Sequence, residues 1–191
     1  MDIREFLFNY RSYTPIPLLI AVLILADPTA QTLLVGFAIA LLGESIRIWG
    51  VRHAGGATRT TSGAGASSLI THGPFAYVRN PLYVGNFLLS GGLVIMSWAW
   101  MPWMLIVFVA VFALQYSMIV SLEEEELHKR FGDEYREYCE QVPRWIPRLR
   151  PFKEHDVEPA SLARTLKVED NTLFSFAAVT ILLVLKWFYM T

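Results

Sequence analysis

The sequence predicts an all-α polytopic membrane protein of about five transmembrane helices, with a cytoplasmic helix after the fourth. Three observations lead there. Of the 191 residues, 54% are hydrophobic and only 17% charged, against about 25% charged in soluble domains, and mean hydropathy is +0.39. Residues 82–121 contain no charged side chain, a run too long for one crossing of about 20 residues and hard to bury in a soluble bundle of this size. The lysines and arginines avoid two of the connections between apolar segments altogether. Abundant aromatics (14%) exclude disorder, and a net charge of −1 gives no argument for a nucleic-acid partner. With one cysteine, Cys139, an intrachain disulfide is excluded.

The elements follow in order. Residues 15–26 are solidly apolar but short, and reach span length only if the aromatic stretch from Phe6 to Tyr13 contributes. Acidic residues precede this segment and no convincing small-residue cleavage site follows, so a cleavable signal is not expected. Residues 30–51 form a second span, interrupted by Glu44 and Arg47, one turn apart and read as a neutralising pair facing the bundle interior. Trp98, Trp100, Pro102 and Trp103 divide 82–121 into a hairpin of two spans, about 82–97 and 102–121, with interface-seeking tryptophans at the turn. Residues 172–190 make the last span, anchored by Lys186, Trp187 and Tyr189.

The basic residues orient these spans. Arg4 and Arg11 precede the first. Arg52, Arg59 and Arg79 lie between the second and third, and nine lie between Lys129 and Lys167. None lies near Asp27 or Trp100, so every basic loop falls on one side, which the positive-inside rule makes cytoplasmic, with the N-terminus inside.

Two cytoplasmic segments carry the chemistry. Residues 52–81 are polar and rich in Gly, Ser and Thr. The Gly63-Ala64-Gly65 run lacks a preceding strand and a complete dinucleotide motif, and reads as a flexible loop. In residues 122–151, Leu127, Phe131, Tyr135, Tyr138 and Val142 recur at helical spacing, so a helix leaves the membrane with one apolar stripe and ends at Pro143 and Pro147. Glu125 with Lys129 and Glu126 with Arg130 are spaced as i,i+4 pairs. At 79–83, Asn80 is a good N-cap and Pro81 suits the first helical position. Arg79 and Tyr83 then bracket a helix N-terminus at the membrane surface, a site for a carboxylate or phosphate, or for a lipid phosphate anchor. The run Glu123–Glu126 covers every side of its helix. At least one carboxylate therefore faces the bundle, where it needs an arginine or a ligand ammonium group. Arginine and glutamate facing one pocket suit a zwitterionic ligand. The histidines His53, His72, His128 and His155 are widely spaced and no metal is expected.

The pattern LITHGPFAYVRNPLY, followed about 40 residues later by EExxLxxxFGxEYxxYxxxVPRxIP, resembles the integral-membrane methyltransferases, which include isoprenylcysteine carboxyl methyltransferase and phospholipid methyltransferases. The resemblance covers residues 69–147. It implies an S-adenosylmethionine pocket between the transmembrane helices and the C-terminal cytoplasmic helix. The family's cofactor-binding positions fall on Leu69, Ile70, Gly73, Pro74, Phe75, Arg79, Asn80, Pro81, Tyr83, Glu123 and Glu124. Where the family has His and Tyr, this chain has Asn80 and Phe75; Asn80 cannot titrate. The resemblance implies a membrane methyltransferase core over residues 1–151, with 152–191 a cytoplasmic connector and an extra C-terminal helix, acting on a lipophilic acceptor or membrane lipid. A carboxylate acceptor is already nucleophilic, whereas an amine must first lose a proton. That makes Glu44, or one of Glu123–Glu126, the candidate base, with Arg79 and Glu124 the other candidate catalytic residues. A membrane reductase using a reduced nicotinamide cofactor and a non-catalytic scaffold stand as alternatives.

Overall fold

The computed structural model describes residues 2–54, 69–153 and 157–190. The run at Gly63–Gly65, with Arg59 and His155, lies outside the described residues. Among the described residues the chain is helical and forms no strand. In order come α1 (Ile3–Asn9), α2 (Ile16–Ile24), α3 (Ala30–Ala54), a 3-10 turn (Gly73–Ala76), α4 (Pro81–Ser97), α5 (Trp103–Phe131), α6 (Asp133–Gln141), α7 (Leu162–Val168) and α8 (Asp170–Met190).

Three helices are long and apolar enough to cross a membrane, α3, α5 and α8, and α4 is a shorter apolar helix of 17 residues. The expected first span is not one helix. Tight turns over Tyr10–Pro15 separate α1 from α2, and the nine residues of α2 rise only about 13 Å. The hairpin turn is where the tryptophans place it. Trp98 and Trp100 adopt positive φ, and the Ser97 hydroxyl donates to the Val94 carbonyl and accepts from the Ala99 amide. Trp98, Trp100 and Trp103 are all exposed.

The centre of the molecule is the α3–α4 contact, built from small residues. A Cβ on Gly43 would stand 2.4 Å from the Leu89 amide nitrogen, and one on Gly92 2.5 Å from that of Ala40. Such approach lets dispersion contacts hold two membrane helices together where no hydrophobic driving force separates protein from lipid. α8 lays Phe176, Val179 and Leu183 into the same core as Leu33, Ala40, Leu93 and Met96. Lys186 then donates to the Leu23 and Ile24 carbonyls, closing the C-terminal end of α2.

The apolar stripe from Leu127 to Val142 is real but spans two helices. Tyr135, Tyr138 and Val142 are buried, with Leu127, Phe131 and Leu69 packed on them. The helix breaks at Gly132, whose φ of +53° and ψ of −119° fit glycine best. α5 therefore ends at Phe131, and α6 turns back so that both segments contribute to one apolar cluster. Glu125 pairs with Arg4 of α1 rather than Lys129, and Lys129 pairs with Glu126. The first pairing follows from α1 lying against α5; the second is an i,i+3 pair within α5.

Candidate active site

Helix α4 starts where Pro81 removes an amide that would have no partner. Asn80 occupies the N-cap position, but its side chain does not cap. It donates instead to the Arg144 carbonyl at 3.2 Å, tying α4 to the segment after α6. That segment is laced to the 3-10 turn: the Arg79 amide donates to Pro143 O, Arg148 to Tyr77 O and Phe152 to Ala76 O. Tyr138 adds a hydroxyl bond to Phe75 O at 2.7 Å. Gly73, at φ +59°, packs against the His53 ring, 2.4 Å from where a Cβ would be; it shapes the turn and does not line the cavity described below.

This lacing brings Arg79 and Glu124 together. Arg79 Nη2 lies 3.1 Å from Glu124 Oε1, and its Nη1 donates to Cys139 O and Val142 O at the end of α6. Its Nε is buried without a partner. Arg144 donates to Glu124 through Nε to the same Oε1 at 3.1 Å and through Nη2 to Oε2. Glu124 is only 8% exposed, so two guanidinium groups share one buried carboxylate. Its neighbour Glu123 accepts from the Tyr83 hydroxyl at 2.7 Å, and the Tyr83 ring lies against Tyr116. Glu125 and Glu126 face solvent. In α6, burial pushes the Cys139 thiol above its usual range, only partly offset by the charge of Arg79.

A cavity of about 690 Å³ opens beside these groups, within the size range of small-molecule sites. Leu69, Ile70, Phe75, Arg79, Asn80, Pro81, Tyr83, Glu123 and Glu124 line it; Glu44 does not. Glu44 is buried behind Arg47, 3.5 Å from its Nε, and neither carboxylate oxygen accepts a hydrogen bond. Arg47 does face the cavity and is held mainly by Glu169, at 2.5 Å, with Asn86 and Thr172. The pair anticipated inside the second span is thus a three-helix cluster.

Two parts of the wall were not anticipated. Phe8, Arg11, Ser12 and Pro15 fold over the cavity, with the Arg11 guanidinium 4.3 Å from the Phe8 ring centroid. Glu169, Asn171, Thr172 and Ser175 close it from the start of α8. Neither stretch carries a motif. Only the hydrogen-bonding surplus of short polar residues next to apolar spans hints at them. A second, apolar cavity of about 310 Å³ shares Tyr83 and Tyr116 with the first and is lined by Phe87, Phe112 and Trp145. The fold also brings the rings of His53 and His72 to 5.7 Å, but among the described residues no three metal-ligating side chains gather.

The model of the phospholipid methyltransferase family matches residues 31–134, more than half of the chain. The chain belongs to the phospholipid methyltransferase family. Within that membrane methyltransferase family, the matched stretch runs from α3 through the α4–α5 hairpin to the start of α6, and so contains the Arg79–Glu124 contact. Three relatives bracket it. A cobalt-zinc-cadmium resistance protein of Cupriavidus metallidurans is 30% identical over 66% of this chain and 53% of its own length. A protein-S-isoprenylcysteine O-methyltransferase of Schizosaccharomyces pombe is 37% identical over 41% of this chain and 33% of its own. A methanethiol S-methyltransferase of Crocosphaera subtropica is 38% identical over 38% and 27%. The matched stretch spans about half or less of the length of these curated relatives. No solved structure matches the chain.

Proposed function

We propose that this phospholipid methyltransferase family member transfers a methyl group from S-adenosylmethionine to a lipophilic acceptor at the cytoplasmic face of a membrane. The N-terminus lies inside, α1 through α6 form the methyltransferase core (residues 1–151), and 152–191 add a connector and a C-terminal span. The broken segment α1–α2 and the shorter α4 complete five spans together with α3, α5 and α8. The observation that carries this reading is Glu124 shared between Arg79 and Arg144 on the wall of a large cavity.

The residues fit the methyl donor by charge and shape. The donor carries an ammonium and a carboxylate on one end and an aromatic base on the other. Glu123 accepts from the Tyr83 hydroxyl and would hold the ammonium. Arg11 would hold the carboxylate, and the unpartnered Arg79 Nε is a further donor at the same wall. Phe75, Tyr83 and Tyr138 offer rings to the base and to a cationic sulfur. Leu69, Ile70, Asn80 and Pro81 shape the wall at the α4 N-terminus.

When bound, the donor supplies an electrophilic methyl group, so the protein's task is alignment and exclusion of water. Arg79 positions Glu124 and clamps the end of α6 against α4. α6 and the 3-10 turn then cover the cavity, while Tyr83 orients Glu123. Neither Asn80 nor Phe75 needs to move a proton in this scheme. Binding to the detergent-solubilised protein tests it: S-adenosylmethionine and S-adenosylhomocysteine should bind by calorimetry, and a reduced nicotinamide dinucleotide should not. Binding of the nicotinamide alone would favour a reductase, and binding of none a scaffold. Incubating membranes with radiolabelled methyl donor, then extracting lipid, identifies the acceptor.

A further inference from the structure

We infer that the ribbon from Arg144 to Arg150 is a docking surface for anionic phospholipid head groups, in the leaflet at the α6 end of the spans, and that this contact steadies the cover of the cavity. Leu149 is 99% exposed and Ile146 79%. Yet the ribbon is not a loose strand. Asn80 donates to the Arg144 carbonyl, and the Arg148 and Phe152 amides donate to Tyr77 O and Ala76 O. The fold therefore fixes two large apolar side chains outward, where water is a poor partner for them. Trp145 gives their depth. It lines the apolar cleft with Tyr83 and Val84, in the first turn of α4, and with Phe112 and Ser117 of α5. From that turn onward α4 is apolar. Trp145 thus stands where the span leaves the hydrocarbon, the level that tryptophan prefers, and Ile146 follows it directly.

The charge of the ribbon selects the lipid. From Val142 to Lys153 there are four basic side chains and no acidic one. Arg144 is spent on Glu124, and Lys153 on Glu137. Arg148 donates to the Gln141 carbonyl and Arg150 is exposed; neither pairs with a carboxylate among the described residues. The acids of this region stand on α6 instead. Two guanidinium groups without a counter-charge, interleaved with two bare apolar side chains, match phosphates lying over acyl chains. None of Ile146, Arg148, Leu149 and Arg150 lines the cavity. The contact acts through the backbone, because the same ribbon holds the 3-10 turn and carries Arg144 to Glu124. It also lies beyond residues 31–134, the stretch that the family model matches.

The test places the full chain in nanodiscs of phosphatidylcholine and phosphatidylglycerol in equal parts. A fluorophore is attached at Leu149→Cys in a Cys139→Ala background, and one lipid or the other carries bromine high in its acyl chain as the quencher. Brominated phosphatidylglycerol should quench about twofold or more over brominated phosphatidylcholine, and high salt should narrow the difference. Arg150→Gln should weaken the preference, Arg148→Gln combined with Arg150→Gln should remove it, and Arg150→Lys should keep it. In the unlabelled parent, amide exchange at Arg148 and Phe152 should be slower in the mixed discs than in pure phosphatidylcholine, and the double variant should lose that difference. Equal quenching by the two lipids, quenching by neither, a preference unchanged in the double variant, or exchange indifferent to phosphatidylglycerol overturns the inference. A label shielded from both lipid and aqueous iodide also overturns it, since a protein or a second copy of the chain then covers the ribbon. None of these readouts needs the methyl donor, so they succeed or fail apart from the methyl-donor reading.

Discussion

Glu124 Oε1 and Arg79 Nη2 stand 3.1 Å apart at the junction of α4, α5 and α6, with both side chains largely buried. Their separation in the sequence is closed by the α4–α5 hairpin, which returns the chain to the membrane face where it started. A buried carboxylate that satisfies two guanidinium groups leaves both unpaired when it is neutralised.

Glu124→Gln should therefore destabilise the protein and weaken methyl-donor binding by about 1–3 kcal/mol, the cost of removing a charged hydrogen-bond partner. Thermal unfolding in detergent and donor calorimetry measure the two effects. Arg79→Lys should lose nearly as much, because an ammonium cannot reach the α6 carbonyls and Glu124 at once. Arg144→Ala should lose less, since that side chain is 39% exposed. Parental behaviour in Glu124→Gln would show that the contact holds neither fold nor ligand.

Gly43→Ala forces a methyl group onto the backbone of α4, 2.4 Å from the Leu89 amide nitrogen. We expect the two central helices to separate, with loss of about 2 kcal/mol or more from overpacking. Gly132→Ala meets nothing within 4 Å but strains the backbone at φ +53°, for a loss of about 1–3 kcal/mol. The comparison of thermal midpoints distinguishes crowding from strain. Gly43→Ala should also disturb donor binding through the displaced α4, and Gly132→Ala should chiefly loosen α6, visible as faster amide exchange there.

Cys139 should react slowly with iodoacetamide. Burial raises its thiol above the ordinary range, so at any pH below that value less thiolate is present than in a free cysteine. The rate should climb only at a more alkaline pH than for the free amino acid. Mass spectrometry against pH reads this directly, and a rate equal to free cysteine at pH 8 would contradict the packing of α6.

Lys186→Met removes the donor to the Leu23 and Ile24 carbonyls while keeping an apolar side chain. The expected loss is about 1–2 kcal/mol of stability, as for a helix-end hydrogen bond to a charged group. Donor affinity should be unchanged, because this contact lies at the far end of α8 from the cavity.

Much of this was legible in the sequence, for stated reasons. Charge-free length gave the α4–α5 hairpin, tryptophans gave its turn, and helical spacing gave the buried Tyr135, Tyr138 and Val142. That four adjacent glutamates must place one inward is a matter of helical geometry, and Glu124 and Glu123 are the inward pair. Asn80 and Pro81 marked the start of α4 correctly, but the Asn80 side chain found a longer-range partner in Arg144, which local capping preference cannot foresee. Arg144 stands in the VPRxIP motif, where its role is not legible because its target lies 20 residues away across the bend at Gly132. The break itself was hidden by an apolar stripe that continues in phase on both sides. Arg47 looked like half of a local pair with Glu44, yet Glu169 wins its guanidinium through tertiary contact. The N-terminal cover by Phe8 and Arg11 depends on where α1 docks, which periodicity does not encode.

The cavity wall draws on side chains from Phe8 to Ser175. A fragment that ends before Glu169 therefore keeps the shared motifs and Arg47 but lacks that guanidinium's counter-charge and the α8 side of the chamber.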